Sequence, residues 1–331
     1  MSLAELAASV VRRERAAIAS AVSLVENRRS DSLPRIVELL SRLRTLAPHP
    51  SRTVGITGPP GVGKSTLVSA LAGELRSQGR TVGVLAVDPS SPRSGGALLG
   101  DRARIVIDPE DDGIFVRSMA SGGELGGLAR AAKAAVFVLS RAFDVVLVET
   151  IGVGQTETDV ENIVDTVCFV AQPASGDVLQ FLKAGILEIP DVFVVNKMDL
   201  GSLARRAKAD LRAALMTAAQ ASGGSAPPSI VATSAATGSG IADLVQAADV
   251  HFESLVRTDG LRARRLAGDA AWTLRFFERR HGEAAIEKLG GRSVVQSRIR
   301  RELERGELPF AIAGSLGDEY VRSLAASQLT T

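Results

Sequence analysis

Cysteine is almost missing from this chain: Cys168 is the one thiol in 331 residues. One cysteine excludes an internal disulfide framework and fits a reducing compartment. It lies in the apolar run 167–171, the setting of a core residue rather than of a reactive thiol. Histidine is nearly as scarce, with His49, His251 and His281 scattered along the sequence, so there is no cluster of soft metal ligands. Four methionines are too few for an adaptable methionine-rich groove. Charge of one sign is lacking as well. The 39 Lys and Arg against 37 Asp and Glu leave a net +2, which gives no electrostatic reason to expect nucleic acid as the main partner. No apolar run reaches the ~18 residues of a membrane span, and residues 1–6 lack the basic start and apolar core of a secretory signal. The expectation is a cytoplasmic globular protein with neither membrane nor nucleic acid as partner.

What the chain does have is Gly58-Pro59-Pro60-Gly61-Val62-Gly63-Lys64-Ser65, an ungapped G-x-x-x-x-G-K-[ST] phosphate-loop pattern. The apolar run 53–57 reads as a buried strand leading in. Residues 67–72 carry helical periodicity out towards a stop at Gly79. A strand, a glycine-rich turn and a helix N-terminus aim main-chain N–H groups at one point, which suits a polyphosphate. Lys64 would reach the β- and γ-phosphates and Ser65 would ligate Mg²⁺, with Thr66 completing the nucleotide-binding set.

Around this loop, short apolar runs at 54–57, 82–87, 145–149, 166–171, 192–195 and 230–233 alternate with helical stretches near 64–78, 125–141, 178–188 and 202–221. That pattern predicts a doubly wound α/β sheet, mostly parallel, with ligands beyond the C-terminal ends of its strands. Residues 2–29 read as one amphipathic helix, with Leu6, Val10, Ala17, Ala21 and Leu24 on a single face. A second helix runs through Ile36, Leu39, Leu40 and Leu43. After 237–240 the chain turns all-helical. One stripe holds Leu266, Ala270, Leu274 and Phe277, another Val295, Ile299 and Leu303, with breaks at Gly290-Gly291 and Pro309. The expected division is an N-terminal helical extension (1–50), a nucleotide domain (51–258) and a C-terminal helical region (259–331). Trp272, Phe276 and Phe277 belong either to the core or to a dimer seam.

Asn196-Lys197-Met198-Asp199 follows the strand 192–195. N-K-x-D in that place is a guanine-reading pattern. A carboxylate at Asp199 accepts from guanine N1–H and the exocyclic amine, whereas adenine has no N1 donor and would leave the acid unpaired. The Lys197 stem would lie along the base, and Asn196 would tie this loop to the phosphate loop. Ser234, Ala235 and Ala236, just after the next strand, fit the second base-side loop, where a main-chain N–H meets guanine O6.

On the metal side, Glu149-Thr150-Ile151-Gly152 ends the strand 145–149, with glutamate where D-x-x-G is usual. Its carboxylate can hold Mg²⁺ through water, and Gly152 can meet the γ-phosphate. Asp88 and Asp101 are further Mg²⁺-side candidates. The alternatives are a turn residue before proline for Asp88 and a solvated helix acid for Asp101. The stretches 94–96 and 152–155 read as switch loops. Gln155 either orients the attacking water or, standing three residues after Gly152, serves no direct catalytic role. Asp177, Gln180 and Lys183 form a further nucleotide-responsive loop or ordinary helix N-terminal charges.

V-D-P-S-S (87–91), G-G-A-L-L-G-D-R-A-R (95–104), E-T-I-G-V-G-Q-T-E (149–157) and Q-P-A-S-G-D (172–177) resemble the MeaB/ArgK family, the methylmalonyl-CoA mutase-associated GTPases of the SIMIBI class of P-loop proteins. The likeness spans about residues 15–245. It departs at 97–101, where the family commonly has S-I-L-G-D, and at 122–127, and it is least in the C-terminal helices. The resemblance implies a slow GTPase using GTP/GDP and Mg²⁺. Such a protein chaperones an adenosylcobalamin-dependent acyl-CoA mutase, gates its cofactor loading and forms a homodimer through C-terminal helices. It also implies that Lys64 and Ser65 serve phosphate and metal, that Asp88, Asp101 and Glu149 lie on the Mg²⁺ side, and that Asp199 reads guanine. Three rival readings fit less well. A nickel-inserting metallochaperone GTPase wants Cys/His clusters, an ATP-dependent kinase coupled to amino-acid transport conflicts with the base motif, and a signal-sequence GTPase wants a methionine-rich groove.

Overall fold

The computed structural model describes residues 1–27, 29–46, 51–88, 105, 108, 110–120, 131–150, 160–173, 190–221 and 228–328. Three helices lead: α1 (Leu3–Val11), α2 (Arg15–Glu26) and α3 (Leu33–Leu46). A capping box starts α1, with Glu5 N donating to Ser2 Oγ at 3.2 Å and Ser2 N to Glu5 Oε2 at 2.7 Å. The single helix expected over 2–29 is in fact two. Arg13 takes φ +62° between them, a left-handed conformation through which a right-handed helix cannot run. The apolar face survives the break: Leu6, Val10, Ile18 and Val22 share one core with Leu39 and Leu43.

Among the described residues seven parallel strands follow: β1 (Arg52–Thr57), β2 (Val82–Asp88), β3 (Ile114–Ala120), β4 (Val145–Glu149), β5 (Thr166–Ala171), β6 (Val192–Val195) and β7 (Ser229–Ala232). Their order is β3-β2-β4-β1-β5-β6-β7. From β1 the chain steps outward on one side to β2 and the edge strand β3, comes back to insert β4 between β2 and β1, then crosses past β1 to β5, β6 and β7. The switch point therefore lies at the carboxyl end of β1. In register, Ile56 stands between Glu149 of β4 and Cys168 of β5. Burial pushes the Cys168 thiol well above its ordinary pKa, as befits a core residue.

Strand β3 was not among the expected strands. Its sequence, Ile114-Phe-Val-Arg-Ser-Met-Ala120, is broken by Arg117 and Ser118, because an edge strand pairs on one side alone and need not be apolar throughout. The last strand covers Ser229–Ala232 rather than 230–233.

Helices cover both faces. On one, α4 (Lys64–Ser77) and α7 (Ile241–Arg257) bring Leu67, Leu71 and Leu244 against Val84, Leu147 and Val170. On the other, α5 (Ala132–Leu139) and the three leading helices pack on Val146, Val148 and Val167, so the N-terminal helices form part of the sheet's cover. Helix α6 (Ser202–Ala221) buries Leu211 and Leu215 against Phe169 and Phe193. The helix expected over 178–188, and residues 125–130 of the one expected over 125–141, lie outside the described residues.

Four helices close the chain: α8 (Gly260–His281), α9 (Glu283–Lys288), α10 (Arg292–Glu304) and α11 (Pro309–Gln328). The two expected stripes meet, with Leu274 and Phe277 buried among Val295, Ile299 and Leu303. Trp272 is half-buried, its ring 4.9 Å from Phe276 and 4.5 Å from Phe310, so this aromatic bulk packs within the chain. Arg264 makes a bidentate pair with Asp191 at 2.9 and 2.7 Å. Beside it Arg265 grips Asp165 at 2.7 and 2.8 Å. Those two acids stand just before β6 and β5, so α8 is fastened to the amino ends of the strands.

Candidate functional site

The carboxyl ends of β1, β4, β5, β6 and β7 bring together the predicted site residues that lie within the described chain. Gly58 opens the phosphate loop at φ +141°, and a Cβ there would fall 2.2 Å from Val170 O of β5. At its close Gly63 has φ +93°, and a Cβ would fall 2.8 Å from Asn196 Nδ2. Neither place admits a side chain. Val62 is buried beneath the loop, whereas Pro60, Gly61 and Thr66 are exposed. Lys64, only 8% exposed, curls back so that Nζ donates to Gly58 O at 2.7 Å and Pro59 O at 3.0 Å. An ammonium held this way can exchange neutral carbonyl acceptors for phosphate oxygens, which bind it more strongly.

Ser65 Oγ donates to Glu149 Oε1 at 2.6 Å. Glu149 is 8% exposed, and its strand end is fixed to β1 by Thr150 N on Ile56 O (3.1 Å) and Thr150 Oγ1 on Thr57 Oγ1 (2.9 Å). A hydroxyl and a carboxylate brought together at the helix N-terminus form the all-oxygen donor set that Mg²⁺ takes in nucleotide sites. Among the described residues no group of three or more His, Cys, Asp or Glu is arranged to hold a metal by itself. The backbone of Asp88 ends β2, two residues past Ala86, which pairs with Glu149. The Asp88 side chain lies outside the described residues, as do Asp101, Gln155, Gly152, the stretches 94–96 and 152–155, and Asp177, Gln180 and Lys183.

Asn196 links the base-side loops to the phosphate loop. It is 2% exposed, and its Nδ2 donates to Val62 O at 2.9 Å. Its Oδ1 accepts from Thr233 Oγ1 and from Ala235 N, each at 3.2 Å. Lys197 takes φ +60°, which sends its stem back along the loop so that Nζ donates to Gly61 O at 2.7 Å and Gln172 Oε1 at 2.8 Å. Asp199 is exposed, with Oδ1 accepting from Ser234 Oγ at 2.6 Å. That hydroxyl, helped by the residue's own N–H and by Lys197, holds the Asp199 carboxyl below the usual carboxylate range. It is thus an acceptor at neutral pH. Ala235 is half-buried beside Asn196, and Ala236 is exposed in the following turn.

This geometry offers a phosphate cradle, an oxygen donor pair and an acidic base reader joined by one carboxamide. The family model for the methylmalonyl Co-A mutase-associated GTPase MeaB matches residues 18–288. The chain belongs to the MeaB family. A probable GTPase of Mycobacterium tuberculosis is 39% identical over 315 residues, covering 93% of this chain and 92% of that one. The mouse mitochondrial methylmalonic aciduria type A homolog is 34% identical over 276 residues, covering 80% and 66%. Among solved structures, the crystal structure of an LAO/AO transport system kinase superposes with a TM-score of 0.67 at 26% identity, covering 97% of both chains. As a MeaB-family member the chain is a GTPase with a P-loop fold. Among its described residues no helix is long and apolar enough to cross a membrane.

Two contributors of this MeaB-family site stand in or beside quoted motifs but carry no role of their own in the sequence reading. Gln172 follows β5 directly, and the rule that ligands lie beyond strand ends would have flagged it. The Thr57–Thr150 hydroxyl pair has no local signature, since each threonine is an ordinary strand-end residue.

Proposed function

We propose that this GTPase binds GTP and GDP through Gly58–Thr66 and reads guanine with Asn196, Lys197, Asp199 and residues 234–236. It works as a nucleotide-gated chaperone of an adenosylcobalamin-dependent acyl-CoA mutase of the methylmalonyl-CoA mutase type. The observation that carries the nucleotide reading is the Asn196 bridge between Val62 O and Ala235 N. It makes the polyphosphate cradle and the purine loops one preformed body, so little order has to be gained on binding. Lys64 supplies charge to the β- and γ-phosphates, and Ser65 with Glu149 is the donor set suited to Mg²⁺, joined on this reading by Asp88 and Asp101. Bound there, Mg²⁺ would neutralise charge building on the phosphate oxygens. Gln155 is the candidate for orienting the attacking water.

The mutase partner is supported by the family and by the mouse relative. Val321 and Leu324, exposed one turn apart on α11, supply apolar surface for a homodimer through the C-terminal helices. A nucleotide shifts partner affinity only by its differential binding to two conformations. Gating therefore requires that mutase affinity differ between the GTP and GDP forms. Purified protein should hydrolyse GTP in preference to ATP, and Lys64→Ala should abolish tight binding of both GTP and GDP. Mutase capture should differ between a GTP analogue, GDP and no nucleotide. Preference for ATP would overturn the guanine reading, and equal capture in all three states would overturn the gating.

A further inference from the structure

Two buried hydroxyls stand where the phosphate loop leaves the sheet. Thr57 closes β1 immediately before Gly58, and Thr150 follows Glu149 at the end of β4. Both are buried, and Thr150 Oγ1 donates to Thr57 Oγ1 at 2.9 Å. Side chains alternate along a strand, which assigns each residue to a face. Ile56 packs in the core beneath α4, and Glu149 meets Ser65 of α4. Thr57 and Thr150, one position further on, therefore turn to the opposite face. Two residues before them, a Cβ on Gly55 would fall 2.6 Å from Val160, and Val148 packs with Val160 and α5. The end of β4 is thus gripped from both sides, in front by Ser65 on the Glu149 carboxylate and behind by Thr57 on the Thr150 hydroxyl.

Fold stability does not account for this pair. Burying a hydroxyl costs free energy that one neutral hydrogen bond roughly offsets. Exchanging both partners for apolar groups of the same shape, here two valines, is close to neutral or stabilising. What a hydrogen bond supplies and a methyl contact does not is a set length and direction. Here that matters, because the two threonines are covalent neighbours of two parts that must act on one ion. Thr57 leads into the loop that carries Ser65, Thr150 adjoins Glu149, and Ser65 Oγ stands 2.6 Å from Glu149 Oε1. Mg²⁺ demands near-ideal octahedral geometry, so slippage between these strand ends is felt at the metal. We propose that Thr57 and Thr150 are positioning residues for GTP hydrolysis, their hydroxyl bond fixing the phosphate loop and the Glu149 carboxylate at the separation that one Mg²⁺ fits. This rests on the reading of Ser65 and Glu149 as the Mg²⁺ donor set.

The experiment compares the full-length wild type with Thr150→Val, Thr150→Ser, the double variant Thr57→Val with Thr150→Val, and Glu149→Gln. Mg²⁺ half-saturation is read from the release of a fluorescent GDP analogue across a Mg²⁺ titration, beside Tm and the kcat and KM of GTP turnover. Thr150→Val strands the Thr57 hydroxyl, so Tm should fall and the Mg²⁺ half-saturation should rise about tenfold, the contribution of one hydrogen bond. The double variant removes the stranded group, so its Tm should return to within about 2 °C of the wild type. Its Mg²⁺ half-saturation should stay about tenfold higher and its kcat about tenfold lower, with KM for GTP within about threefold. Thr150→Ser keeps the donor and should stay within about twofold in each quantity. If Thr150→Val does not fold, the double variant decides. A double variant that recovers Mg²⁺ response and kcat along with Tm, or that melts no higher than Thr150→Val, would overturn the proposal. So would a Thr150→Ser loss as large as that of Thr150→Val. Glu149→Gln separates the two layers. If it weakens Mg²⁺ and the double variant does not, the positioning role falls alone; if it leaves Mg²⁺ half-saturation unchanged, the donor set falls and the proposal with it.

Discussion

Replacing Asn196 with alanine is the sharpest test of the claim that one carboxamide unites the two halves of the nucleotide site. The substitution removes the donor to Val62 O at 2.9 Å and the acceptor that serves Thr233 Oγ1 and Ala235 N at 3.2 Å. Three hydrogen bonds at a net ~1 kcal/mol each amount to about 3 kcal/mol. Thr233 is fully buried, so its stranded hydroxyl keeps the loss from falling lower, while the half-exposed loop at Ala235 lets water limit it. In a chain of 331 residues that is a fall of roughly 4–5 °C in Tm. If half of the loss is borne when nucleotide binds, GDP affinity drops about tenfold. Asn196→Asp should be worse than alanine, because it sets a carboxylate oxygen against Val62 O and adds repulsion to the lost bond. Thermal melts paired with titration of a fluorescent GDP analogue give both quantities. An alanine variant that melts with the wild type and binds GDP within a factor of two of it would refute the reasoning.

Three more expectations rest on the same structure. Asp199→Asn, which keeps the shape but replaces one acceptor by a donor, should lower the GTP-over-ATP binding ratio by roughly 10²-fold or more with Tm nearly unchanged, as read by competition titration. Gln172→Ala frees Lys197 Nζ from one of two acceptors, so GDP binding should weaken about two- to fivefold while Lys64-dependent phosphate binding persists. Asp111 accepts two hydrogen bonds of 2.8 Å from Arg76, which, with the Gly113 N–H, hold its carboxyl below the usual value. A carboxyl whose folded pKa is depressed gives its full stabilisation above the unfolded value of ~4 and loses it as pH falls through the folded one. Tm should therefore decline below about pH 4, and Arg76→Gln should flatten part of that decline in melts taken across the acid range.

The central sheet was readable because its strands are short, almost unbroken apolar runs, the mark of burial on both faces. The phosphate loop and N-K-x-D were readable because each follows such a run directly. Where burial is one-sided the signal weakened. Strand β3 carries Arg117 and Ser118 in its middle, and the period-two pattern is lost. The α1–α2 break was hidden because Arg13 turns the backbone without interrupting the apolar face that a helical wheel detects. Least legible was the charged seam under α8. Asp165 and Asp191 look like isolated acids before strands, and their partners Arg265 and Arg264 stand 100 and 73 positions away. No local rule connects groups at that separation.

That seam gives β5 and β6 a second office. Each of these strands touches the purine-and-phosphate apparatus at its head, through Val170 against Gly58 and through Asn196 N on Ala171 O. Each is clamped at its foot to a guanidinium of α8. Pleated strands of six and four residues are stiff struts about 20 and 13 Å long with little slack to absorb a shift. The tail helices thus cannot tilt alone: a rotation of α8 either rips out two forked ion pairs or drags the far rim with it.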